Sequence, residues 1–104
     1  MGRRDKANQL TPSEAERKIA SIIKDGTIEL SIHCKRDSMP KRHVTYPDIT
    51  YLLDTGHIIR EGKWDEDYEQ WKYIVEGRDL DGDDLSAVTV IFDETFSLLI
   101  VTVY

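Results

Sequence analysis

The chain has 104 residues, enough for one domain, with 33% charged and 39% hydrophobic side chains and a formal net charge of −6. That composition belongs to a folded globular chain and excludes a disordered or collagenous one. The longest apolar run, Leu98 to Val101, is four residues, too short for a membrane-spanning helix, and no secretory core follows the basic start. Cys34 is the only cysteine, which excludes an internal disulfide or a cysteine-cage zinc site and makes a reducing cytoplasm the default compartment.

Charge is unevenly placed. Residues 1–60 carry 11 Lys/Arg against 8 Asp/Glu, whereas residues 61–104 carry 3 against 12. A basic half beside an acidic one permits a local phosphate site, and equally permits docking of a basic partner on the acidic half.

In chain order, residues 1–10 are polar and aperiodic and read as a flexible N-terminal arm. Residues 11–104 read as a single domain. Thr11-Pro12-Ser13-Glu14 is a capping box with Pro at the first helical position. Ala15, Ile19, Ile22 and Ile23 then form an apolar stripe, and Gly26 reads as a left-handed stop. Thr27 to Ile32 alternates as a short strand with Ile28, Leu30 and Ile32 on one side. His33 to His43 is the least regular stretch, because Pro40 interrupts any single helix through it. A second helix starts at Thr45, with Asp48 completing its box and Val44 stapling onto Ile49, and ends at Gly56.

The remainder reads as β-structure. His57 to Glu61 is a candidate strand, Lys63 to Glu69 an acidic link, and Gln70 to Glu76 a strand with Trp71, Tyr73 and Val75 on one face. Leu85 to Phe92 and Thr95 to Tyr104 pair as a hairpin across Asp93-Glu94. The last strand is apolar on both faces, which suits an interior position in the sheet. The expected fold is α+β: two helices on one face of a mainly antiparallel sheet of four or five strands.

Few motifs carry chemistry. An EF-hand loop starting at Asp79 fails, since its sixth and twelfth positions hold Asp84 and Val90. His33, His43 and His57 lack zinc-ligand spacing, so no metal and no cofactor is expected, and neither phosphate-loop nor serine-hydrolase motifs occur. Cys34 beside His33 is not a catalytic pair, because neighbouring side chains point apart. What remains is His33 to His43, with four permanent cations and two imidazoles against one carboxylate. Cleaving RNA without a metal needs a base for the 2′-hydroxyl, an acid for the leaving oxygen and cations for the phosphorane, and these residue types supply all three. A solvated basic linker is the plainer alternative.

The run SIHCKRDSMPKRHVTYPDITYLLDTGHIIREG, with the closing IVTVY, resembles a widespread small bacterial family catalogued as domain of unknown function four-two-five-eight. The matching positions are His33, Met39, Arg42, Gly56, Ile58-Ile59 and Thr102-Val103-Tyr104; Ser38 stands where the family commonly has Arg. Members look like relatives of the RelE/MqsR-type toxins. The resemblance therefore implies a RelE/MqsR-like fold, metal-independent endoribonuclease activity within a toxin–antitoxin system, and a zinc-finger antitoxin as partner. On this reading His33, Arg36, Arg42 and Tyr104 are catalytic, while Lys35, Lys41, His43 and Tyr73 bind RNA, Tyr73 or Trp71 by stacking on a base. The alternative is a non-catalytic protein- or nucleic-acid-binding module of the same fold.

Overall fold

The computed structural model describes residues 8–104. Helix α1 (Pro12–Asp25) starts on a capping box in which Thr11 and Glu14 exchange hydrogen bonds, as its sequence predicts. Strand β1 (Thr27–Leu30) follows, then a π-helical turn (Cys34–Ser38), α2 (Met39–Arg42) and α3 (Tyr46–Thr55). Four more strands complete the chain: β2 (Lys63–Asp65), β3 (Gln70–Arg78), β4 (Asp84–Phe92) and β5 (Ser97–Val103).

The five strands form one sheet in the order β1-β5-β4-β3-β2. Only β1 pairs in parallel, on β5, so the apolar C-terminal strand has a neighbour on each side as its sequence demands. The class is α+β, with one helical segment more than the sequence reading contained.

One sheet face carries Tyr73, Val75, Leu85, Ala87, Leu98, Ile100 and Val103, and α1 and α3 bury Ile19, Ile22, Ile49 and Leu52 against it. Even and odd positions change places along β5 because Val101 is an extra residue there: Val88 faces Thr102 while Thr89 faces Ile100. That bulge returns Val103 to the core one position out of phase with a simple alternation. The opposite face carries half-buried Ile74, Glu76, Val88 and Leu99.

Several expectations are corrected. The stretch 32–42 is helical throughout, not irregular. Its π turn precedes Pro40, and the Met39 N–H reaches back five residues to the Cys34 carbonyl, so the wider turn accommodates an imino acid that a regular α-helix would not. Strand β1 therefore stops at Leu30, and Ile32 is 66% exposed instead of sharing a face with Ile28. Residues 57–61 are not a strand; His57 alone forms a β-bridge, with Glu76, and the pairing strand is β2 within the expected acidic link.

Gly26 is not left-handed, having φ −110°. It is required by proximity: a Cβ there would lie 2.2 Å from the Phe96 carbonyl oxygen. Of the expected arm, residues 1–7 lie outside the described residues. Residues 9 and 10 are docked, Gln9 Nε2 donating to the Gly62 carbonyl and the Leu10 N–H to the Tyr73 hydroxyl.

Candidate functional site: a basic helix pinned to the C-terminal strand

Strand β1 covers the edge of β5 only as far as Ile100, leaving the polar backbone of 101–103 to find other partners. Two serines supply them. Ser31 donates from its N–H to the Ile100 carbonyl at 3.0 Å and from its Oγ to the Val101 carbonyl at 2.7 Å. Ser38 Oγ accepts from the Val103 N–H at 3.2 Å. Between them Cys34 is fully buried, and burial pushes its thiol above the ordinary range, so it is a packing residue and not a nucleophile. The helix over 32–42 is thus fixed along β5 by its inner face.

Its outer face carries the expected cations. His33, Lys35, Arg36, Lys41 and His43 are all exposed. His33 Nδ1 lies 3.3 Å from Asp37 Oδ2 one turn on, a carboxylate–imidazole pair that the sequence reading did not name although its i, i+4 spacing was visible. The pairing sets the ring so that Nδ1 faces the carboxylate and Nε2 is left for a ligand. His43 ends α2 in the left-handed region at φ 57°, and the Val44 N–H bonds back to the Met39 carbonyl at 2.9 Å.

The remaining expected residues are distributed elsewhere. Arg42 is nine positions from His33, about 13 Å along a helix axis. Its Nη2 donates to the Asp84 carbonyl at 2.7 Å, tying the helix end to the start of β4. Tyr104 exchanges backbone hydrogen bonds with Ser86, at 2.8 and 2.9 Å. Since Val103 faces the core, strand alternation sets the half-exposed Tyr104 ring on the opposite sheet face, away from the helix bearing His33. Tyr73 is 2% exposed and its hydroxyl is engaged by Leu10, so it has no free ring face on which a base could stack. Trp71 is half-buried and meets Trp64 edge to face at 5.5 Å. The structure therefore pairs His33 with Asp37, leaves Lys35 and Arg36 exposed on the same turn, sets Lys41, Arg42 and His43 at the other end of the same helix, and separates Tyr73 and Tyr104 from both.

A second group brings together residues 41 positions apart, which no spacing rule connects. Glu16 Oε2 accepts from the Ile58 N–H at 2.7 Å, and its Oε1 lies 3.5 Å from His57 Nδ1. Among the described residues no three His, Cys, Asp or Glu side chains gather as a metal site, and no helix is long and apolar enough to cross a membrane.

These features define an α+β domain with a cationic helix clamped beside its C-terminal strand. The family profile DUF4258, a domain of unknown function, matches residues 30–104, from the end of β1 to the last residue. The chain belongs to that family. No curated protein and no solved structure matches it significantly.

Proposed function

We propose that this protein is a toxin-like, metal-independent endoribonuclease, akin to the RelE/MqsR-type toxins, acting on single-stranded RNA and held in check by a zinc-finger antitoxin. The observation that carries the reading is the His33–Asp37 pair on an exposed, cation-rich helix whose inner face is fixed to the sheet. Neutral His33 takes the proton of a ribose 2′-hydroxyl through Nε2, and Asp37 steadies the imidazolium that results. The 2′-oxygen attacks phosphorus, and the 5′-oxygen leaves with a proton from solvent. The products are a 2′,3′-cyclic phosphate and a 5′-hydroxyl. Lys35 and Arg36 supply positive charge to the phosphorane oxygens, and Lys41, Arg42 and His43 hold the flanking backbone. Tyr73 and Tyr104 take no part.

A second reading, a non-catalytic binding module, draws on the placement of Arg42 against a backbone carbonyl and of Tyr104 on the far face. Cleavage assays with His33→Ala and Asp37→Asn separate the two. The nuclease reading expects both to lower turnover while RNA affinity changes little; a wild-type protein that binds RNA and never cuts it supports the binding module.

A further inference from the structure

On the side of the molecule where α1 meets the end of α3, a cleft of about 410 Å³ is lined by Ser13, Glu16 and Arg17 from α1 and by Asp54, His57 and Ile58 from the end of α3 onward. Its size is in the range that accommodates a small organic ligand. Its floor is apolar, with Ile19, Ala20, Leu53 and Val75 among its lining residues.

The polar rim is organised. Glu16 is fixed by the Ile58 N–H at 2.7 Å, and the His57 backbone is fixed by paired hydrogen bonds with Glu76, each 2.9 Å. With Nδ1 held 3.5 Å from Glu16, the His57 ring is left with Nε2 pointing away from the carboxylate, and the side chain is 75% exposed. Arg17 makes no salt bridge with any described residue, and its charge acts on exposed Glu14 three positions earlier, a weak contact that a phosphate would replace. Glu16 has one partner on each oxygen, the amide and the imidazole, whereas Asp54 is the rim carboxylate with no hydrogen bond or salt bridge to a described residue.

We propose that this cleft binds a nucleotide-sized organic phosphate. Arg17 and the imidazolium form of His57, which donates from Nδ1 to Glu16 and from Nε2 to the ligand, grip the phosphate, Asp54 accepts from a ligand hydroxyl, and the apolar floor carries the ring system. A bare inorganic anion would use only the first of these contacts, and the Asp54 charge would oppose it. A ligand with phosphate, hydroxyls and a flat apolar body uses all three. The cleft shares no residue with the helix over 32–42, and the inference stands whether or not that helix cuts RNA.

The test is a titration of the ¹⁵N-labelled protein with a nucleoside 5′-monophosphate, the matching nucleoside and inorganic phosphate, followed by amide shifts. The monophosphate should give saturable shifts confined to residues 13–20 and 53–58, at an affinity about tenfold above that of inorganic phosphate and of the nucleoside. Arg17→Ala and His57→Ala should each weaken it about tenfold or more. Both side chains are exposed and neither supplies a hydrogen bond that holds the fold, so the variants remain folded. The absence of saturable shifts up to about 10 mM, equal affinity for inorganic phosphate, or wild-type binding by both variants would each overturn the proposal.

Discussion

The Val103 N–H donates to Ser38 Oγ at 3.2 Å across 65 positions of sequence, and both residues are buried. This bond and the Ser31 pair close the part of the β5 edge that β1 does not reach, and they also fix the helix that displays His33. Ser38→Ala leaves a buried N–H without a partner, a loss of about 1–3 kcal/mol. Urea denaturation should show that loss, with an unchanged m-value.

Gly26→Ala is expected to be equally damaging for a different reason. The added methyl would meet the Phe96 carbonyl oxygen at 2.2 Å, and backbone must move to relieve it. Overpacking of that kind costs about 1–3 kcal/mol, readable as a lowered thermal midpoint. Gly82, where a Cβ would meet nothing but φ is +88°, offers the contrasting case of conformational need.

Much of this fold was legible from local signals. Both long helices announce themselves by capping boxes, Thr11 with Glu14 and Thr45 with Asp48, and the β4–β5 hairpin by two strand-forming runs on either side of Asp93-Glu94. What stayed hidden depends on distant partners. Pro40 argues against a helix until the π turn before it is known, and the single parallel pairing of β1 on β5 has no local signature. The bulge at Val101 changes which residues face inward, which is why Tyr104 could not be assigned a face from alternation alone. In the site, the His33–Asp37 spacing was readable, whereas Glu16 and His57 meet only because α1 lies beside the end of α3.

Asp48 links the start of α3 to the loop before β4. Its carboxylate accepts from the Thr45 N–H at 2.8 Å and from the Leu80 N–H at 3.0 Å, and these backbone bonds hold it below the usual aspartate range. Folding is therefore favoured by the ionised form. The contribution is complete above the unfolded value of about 3.9 and is lost as pH falls through the lower folded value. Asp48→Asn should reduce stability at neutral pH and flatten the decline of the denaturation midpoint below about pH 4.

If the outer face of the helix over 32–42 holds RNA phosphates, affinity falls with salt by about 0.7 log unit per contact for a single strand. Lys35→Ala and Arg36→Ala should each flatten the log–log slope by roughly that amount, measured by fluorescence anisotropy from low to moderate salt. Lys18→Ala, which removes a cation paired with Asp93 in the β4–β5 turn, at the end of β5 remote from that helix, should leave the slope unchanged.

The central claim is tested most directly by incubating the purified protein with RNA in EDTA and identifying the ends of any fragments, beside His33→Ala. We expect 2′,3′-cyclic phosphate and 5′-hydroxyl ends from the wild type, and a rate at least about a hundredfold lower from the variant. RNA left intact by the wild type, or cut equally fast without the imidazole, would contradict it.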